Sequence, residues 1–144
     1  MFSRFFTKVY KKLSFEDIQF ANQYADQFII INTLPINEQS CLIKNTISYT
    51  EEETILNNLL TNYALNDKKI IIYGKNNTDD TINNKYDQLV SLGFQSVYLY
   101  VGGMFEWLCL QDIYGKDEFQ TTTTMLDILK YKPTRTFGGY LLTR

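Results

Sequence analysis

Few side chains in this 144-residue sequence could act as a nucleophile or a metal ligand. There is no histidine, which removes the commonest general base, the commonest zinc ligand and every Ser-His or Cys-His nucleophile pair. The two cysteines, Cys41 and Cys109, cannot form a four-sulfur metal site, and they lack the close spacing of a dithiol redox motif. Histidine chemistry is therefore excluded, no metal or cofactor is expected, and a reducing compartment is the default.

The two thiols differ in their sequence surroundings. Cys109 stands in the apolar run 107–110, which is typical of a buried structural cysteine. Cys41 follows Ser40 on a predicted loop and is the better candidate nucleophile, although no histidine or basic cluster beside it would activate the thiol. The carboxylates of Asp112, Asp117 and Glu118 are explained more simply by an exposed acidic loop than by an acid–base pair.

A polar loop follows a buried apolar strand at residues 69–73 and ends in two acids before the next helix. Negative charge is favoured at a helix N-terminus, so we expect Asp79 or Asp80 to cap that helix and to oppose the binding of an anion there. A metal or partner contact is the alternative role for these acids. The loop consists of Gly74, Lys75, Asn76, Asn77, Thr78, Asp79 and Asp80.

The composition is that of one folded domain. Hydrophobic residues make up 44% of the chain, aromatic residues 15% and charged residues 21%, a balance that supports a core and argues against disorder. No apolar stretch approaches the roughly 20 residues of a membrane span, and the basic residues within 1–13 do not fit a secretory signal. We expect an intracellular, cytoplasmic protein with no transmembrane segment.

Hydrophobic periodicity predicts an alternation of helices and strands. Short apolar runs at 28–31, 69–73 and 97–101 are typical of strands buried on both faces. Helices are predicted over 2–13, from Ser14 onward, from Thr50 to near Tyr63, from Ile82 to Gly93 and over 125–129, with a short segment around Trp107. Strands alternating with helices of crossover length indicate an α/β fold with parallel pairing.

The central part of the chain resembles the rhodanese-like domain family. Residues 70–74 form a strand ending in glycine. Residues 89–107 contain Gly93-Phe94, then Val97, and finally Gly102-Gly103 with Trp107, which is similar to the ending of that family's domain. Looser matches are residues 28–34 for an early strand and residues 41–47 for the turn after it; the segment 10–13 would then be a short first strand instead of the end of a helix.

This resemblance implies a central parallel sheet of about five strands with helices on both faces, and it places the family's nucleophilic cysteine at Gly74. Further departures fall at Asn32, Leu34 and Leu42, where the family has polar residues. Without a thiolate, sulfur transfer by the family's route is unavailable. We therefore predict a catalytically degenerate, non-enzymatic member that acts as a binding or structural module; a sulfurtransferase or related thiol enzyme using Cys41 is the alternative.

Two basic segments flank the predicted domain of residues 14–131. Residues 1–13 and 130–144 each carry four basic and no acidic residues, and all sixteen acids lie between them. The N-terminal segment could pack on its own domain, dock on a partner or lie on an anionic membrane, while residues 132–144 read as an extended arm. We expect a protein partner or a homo-oligomer and no nucleic acid. The candidate contact residues are Phe2, Phe5, Phe6, Val9, Arg135, Phe137 and Tyr140.

The chain is also rich in Asn, Ile and Lys. The ending from Gly102-Gly103 to Trp107 and the C-terminal extension resemble those of rhodanese-like proteins from large DNA viruses of protists, and the bias toward Asn, Ile and Lys is compatible with such a source. A viral protein, and a location in the virion, is the hypothesis that follows.

Overall fold

Four α-helices and three β-strands follow one another along residues 8–138, the part of the chain that the computed structural model describes. Single 3-10 turns precede the first strand, follow it, and occur near the C-terminus. The main elements are α1 (Phe15–Gln23), β1 (Phe28–Asn32), α2 (Tyr49–Thr61), β2 (Lys69–Tyr73), α3 (Thr81–Ser91), β3 (Val97–Tyr100) and α4 (Gly103–Tyr114).

The three strands form a parallel sheet in the order β1-β2-β3. Their nearly continuous isoleucine runs are buried on both faces, as the apolar patterning predicts. At one edge Lys12 bridges Leu99 of β3, and at the other Thr46 bridges Ile30 of β1, both in parallel orientation. The described residues therefore form three strands, fewer than the expected sheet of about five, and two further segments join the edges through single bridges.

Helices cover both faces of this sheet. On one face α1 and α4 pack against Ile30, Ile71 and Tyr100, and Trp107 of α4 is completely buried there. On the other face α2 and α3 pack against the alternate strand residues. The resulting α/β sandwich agrees with the expected fold class. No helix among residues 8–138 is both long enough and apolar enough to cross a membrane.

The helix predicted over residues 2–13 is wrong where the structure describes it. Residues 8–13 are extended: the Leu99 amide donates to Lys11 O and the Leu13 amide donates to Leu99 O, each at 2.8 Å. The bridge between Lys12 and Leu99 favours the alternative interpretation, a short first strand over residues 10–13. The start of α1 is confirmed, since Ser14 and Asp17 form the predicted capping box.

Three further boundaries are corrected. The cap of α2 is Ser48, not Thr50, and the short segment around Trp107 is the twelve-residue helix α4. The helix predicted over 125–129 is absent, and its place is taken by a 3-10 turn at Ile128–Tyr131. Thr121 and Thr122, just before this segment, pair with residues 42–44 in an antiparallel bridge, so the chain is extended there.

Tyr73, the last residue of β2, ties the turn after β1 to the sheet. Its hydroxyl accepts a hydrogen bond from the Ile43 amide at 3.1 Å and lies 2.8 Å from the Thr46 hydroxyl. The side chain is fully buried, and burial raises the pKa of this phenol well above its ordinary value. The hydroxyl therefore remains neutral and satisfies a buried backbone amide.

We expect Tyr73→Phe to lower the free energy of unfolding by about 1–3 kcal/mol, because the Ile43 amide would stay buried without an acceptor. Urea unfolding followed by circular dichroism measures this change. Tyr63→Phe is the matched control, since Tyr63 is 93% exposed and should contribute little. Equal stabilities of the two variants would contradict the structural role of the Tyr73 hydroxyl.

Candidate functional site

The loop from Gly74 to Asp80 connects β2 to α3 at the carboxyl end of the sheet, where ligands commonly bind in open α/β folds. A shallow depression of about 340 Å³ lies over it. Hydroxyl, carboxylate and amide side chains dominate its wall. The lining residues are Thr33, Pro35, Glu38, Lys75, Asn76, Thr78, Asp79, Asp80, Thr81 and Thr134.

Gly74 is buried, and the space that a side chain would need there is filled. A Cβ atom built on Gly74 would lie 2.4 Å from Asp79 Oδ2 and 3.0 Å from Ile82 Cγ2. Real Cβ atoms essentially never make contacts as short as the first of these. Any side chain at this position would have to displace the Asp79 carboxylate.

The Asp79 carboxylate is held by the loop's own donors. Oδ2 accepts a hydrogen bond from the Lys75 amide at 2.8 Å, and Oδ1 accepts from the Thr81 amide and hydroxyl at 3.0 and 2.6 Å. Asp79 therefore binds the first residue of α3 from the position before the N-cap, while Asp80, the N-cap residue, makes no side-chain cap. The Asp79 side chain thus occupies an amide of the loop and the first amide of the helix, a position that favours anions in general.

Asn76 is the buried polar centre of the loop. Its Oδ1 accepts from the amide and hydroxyl of Thr78 at 3.0 and 2.7 Å. Its Nδ2 donates to the backbone carbonyls of Tyr131 and Lys132 at 3.0 and 3.2 Å. The side chain is 6% exposed, so its amide joins the loop to the beginning of the C-terminal segment.

The loop also contacts neighbouring elements through its backbone and one ion pair. The amide of Met104 donates to Gly74 O at 3.0 Å and the amide of Phe105 donates to Lys75 O at 2.9 Å, which binds α4 to the loop. The Lys75 ammonium lies 3.2 Å from a Glu38 carboxylate oxygen. The predicted loop residues therefore lie together, but their donors and acceptors are largely used within the domain.

Neither thiol lies in this loop. Cys41 is fully buried, and its Sγ donates to Thr123 O at 3.4 Å. Cys109 on α4 is partly exposed; burial raises the pKa of its thiol, and the Asp112 and Glu106 carboxylates raise it further. A raised pKa disfavours the nucleophilic thiolate. Within residues 8–138, no three His, Cys, Asp or Glu side chains are grouped so as to hold a metal ion.

The candidate partner contacts fall at two places. Val9 is 81% exposed and precedes the segment that runs beside β3. Phe137 is 90% exposed and lies with the exposed Arg135 on the segment that follows Tyr131. Four of the candidates lie outside the described residues: Phe2, Phe5, Phe6 and Tyr140.

Two functional features were not predicted from the sequence. One is the anchoring of the C-terminal segment by Asn76, and the other is the Asp79 carboxylate in the side-chain space of Gly74. The spacing of Asn76 and Thr78 is a signal for an Asx turn, and Asp79 with Thr81 repeats it. Such a pattern predicts the local bonds, but not the long-range contact with residues 131–132.

The profile of the rhodanese-like domain matches residues 8–109, more than two thirds of the chain. No curated protein matches this chain.

Several solved structures share the fold. A full-length protein from Lactobacillus plantarum is 16% identical with a TM-score of 0.52, covering 85% of this chain and 94% of that one. A Bacillus halodurans protein is 17% identical with a TM-score of 0.55, covering 79% and 80%. An Anabaena protein is 16% identical with a TM-score of 0.54, covering 82% and 97%.

We expect Gly74→Ala to lower the free energy of unfolding by about 1–3 kcal/mol, because the added methyl group displaces the Asp79 carboxylate from its hydrogen bonds. In an Asp79→Ala background the same change should cost about 1 kcal/mol less, since the carboxylate is gone. Urea unfolding of the four variants in this double-mutant cycle measures the coupling. The matched control is an Asp80→Ala background, in which the cost of Gly74→Ala should be unchanged; equal costs in all three backgrounds would show that Asp79 does not fill this space.

Proposed function

Because the chain belongs to the rhodanese-like domain family, we propose that it keeps the family's fold but acts as a non-catalytic protein-binding or structural module. The observation that carries this proposal is the packing of the Asp79 carboxylate against Gly74, the position to which the family resemblance assigns the nucleophilic cysteine. Glycine offers no nucleophile, and the neighbouring carboxylate takes the space of one.

The hydrogen bonds of the loop support the same proposal. In an active member, the resemblance implies that backbone amides around the cysteine cradle a persulfide or an anion. Here the Lys75 and Thr81 amides donate to Asp79. A substrate anion would have to displace a covalently attached carboxylate and would also meet its negative charge.

Sulfur transfer through Cys41 is the alternative, and the surroundings of that thiol do not favour it. A nucleophilic cysteine needs a partly exposed, electropositive environment. Cys41 is fully buried in the core face that contains Tyr73 and Tyr131, and its thiol donates to a backbone carbonyl.

In the proposed binding role, the loop positions the C-terminal segment. Asn76 holds the backbone at Tyr131 and Lys132, so residues 133–138 continue from a fixed point beside the loop. Arg135 and Phe137 are the contact candidates on this segment. Phe2, Phe5, Phe6, Val9 and Tyr140 stay predictions, as do a protein partner or homo-oligomer, a peripheral membrane contact through residues 2–13, an intracellular location and a viral or virion origin.

The purified chain should produce no thiocyanate above the uncatalysed rate when supplied with thiosulfate and cyanide, because it has no activated thiolate. Cys41→Ser and Cys109→Ser variants should behave identically to the natural chain. Thiocyanate formation that disappears in Cys41→Ser alone would overturn the non-catalytic proposal in favour of the alternative.

Asn76→Ala should release the C-terminal segment, because two backbone carbonyls lose their donor. We expect faster tryptic cleavage after Arg135, measured by mass spectrometry, with the rest of the domain intact. Asn77→Ala is the matched control, since Asn77 is exposed.

The same variants test the binding role when the tagged chain is purified from its native source. A partner retained by the natural chain and by Asn77→Ala, but lost without residues 132–144 and weakened by Asn76→Ala, is the expected result. Identical binding by all four chains would contradict a role for this segment.

A further inference from the structure

A second depression opens at the amino end of the sheet, opposite the loop of residues 74–80. Its volume is about 350 Å³. It lies on the α1/α4 face, beside α1, and includes the first residues of β1 and β2. The residues that line this amino-end groove are Leu13, Asp17, Phe20, Gln27, Phe28, Lys69, Ile71 and Tyr98.

The walls of the amino-end groove are mainly apolar, with aromatic rings on both sides. Phe20 is 50% exposed and packs edge-to-face against Phe28, with ring centroids 6.0 Å apart. Ile71 of β2 is buried and forms the floor, and Tyr98 of β3 is partly exposed at the opposite wall. An exposed apolar concavity of this kind is suited to one anchoring side chain of a binding partner.

Two lysines give the groove a cationic rim. The Lys69 ammonium lies 5.9 Å from the centroid of the Phe28 ring, and the Lys11 ammonium lies 5.5 Å from that of Tyr98. Lys69 lines the groove itself, whereas Lys11 lies beside it and its ammonium also donates to Gln95 O at 2.8 Å. In the part of the chain that the structure describes, neither ammonium forms an ion pair with an acid. The one lining carboxylate, Asp17, already accepts hydrogen bonds from the amide and hydroxyl of Ser14.

The charge of the lysines at the amino-end groove indicates which kind of partner it binds. Residues 1–13 and 130–144 contain basic residues and no acids, so neither terminal segment, from this chain or a second copy, complements a lysine rim. We propose that the amino-end groove binds an acidic segment of another protein, in which a Phe or Leu anchor enters between Phe20 and Tyr98 and flanking carboxylates pair with Lys11 and Lys69. The groove lies apart from the loop, so this inference is independent of the catalytic status of Gly74.

Two acetylated hexapeptides test the proposal on the full chain: Asp-Glu-Phe-Leu-Asp-Glu and Lys-Lys-Phe-Leu-Lys-Lys. They share the Phe-Leu anchor, and their flanking residues carry opposite charge. Binding is followed by amide chemical shifts in ¹⁵N-labelled protein. We expect the acidic peptide to shift the amides of the groove residues and to bind about tenfold more tightly than the basic one, with an affinity that falls as salt is added.

Charge reversal and anchor removal locate the site. Lys69→Glu should lower the affinity for the acidic peptide about fivefold or more, and Tyr98→Ala should lower it by a similar factor. Lys68→Glu, at the neighbouring position outside the groove, should change this affinity less than about twofold. Sulfur-transfer assays of these variants keep this outcome separate from the proposed non-catalytic role.

Three results would overturn the inference. The first is no shift at the groove amides with up to about 1 mM acidic peptide, the weak limit of specific binding. The second is equal binding of the two peptides, which would mean that the anchor alone is recognised. The third is a shift of the groove amides when residues 1–7 are removed from the chain, which would identify this chain's own N-terminal segment as the occupant.

Discussion

The end of β2 and the start of α4 are in direct backbone contact, and the arrangement of the carboxyl end of the sheet depends on it. A Cβ atom on Gly103 would lie 2.7 Å from Gly74 O, and the Gly103 φ of 66° is itself one that favours glycine. The close approach allows the first amides of α4 to donate to Gly74 O and Lys75 O. Because α4 is fixed at this point, Trp107, one turn further on, enters the core and donates its ring N–H to Gln120 O.

Because that contact fixes the loop against α4, the polar groups of the loop must find their hydrogen-bond partners within the domain. The carbonyls of residues 74 and 75 accept from amides of α4, and the amides of residues 75 and 81 donate to Asp79. The Asn76 side-chain oxygen accepts from Thr78, and its nitrogen donates to the carbonyls of residues 131 and 132. A buried polar network is stable only when its members are all paired. A loop paired in this way keeps its shape without a ligand.

The features that could be predicted from the sequence are those whose signals lie in adjacent residues. Burial on both faces and helix capping each leave a pattern in adjacent residues. We could therefore predict the isoleucine strands, the Ser14–Asp17 capping box, and the alternation of helices and parallel strands. The helix predicted over residues 2–13 was wrong at residues 8–13, because the local apolar spacing does not show that this segment hydrogen-bonds to β3, some eighty-five positions further along the chain. The Asn76 contact with residues 131 and 132 was not predictable, since it joins segments more than fifty positions apart.

The two ends of the sheet differ in what remains accessible on them. At the carboxyl end, the loop's donors are taken by its own side chains and the C-terminal segment passes beside it. At the amino end, the aromatic side chains of Phe20 and Tyr98 stay partly exposed around a concavity that residues 8–138 do not fill, with Lys69 in its wall and Lys11 beside it. A fold constrains where chains can bind but not what chemistry they perform. In the proposed non-catalytic role, binding is not restricted to the carboxyl end, and a partner would gain free energy by burying the accessible apolar surface at the opposite end of the sheet.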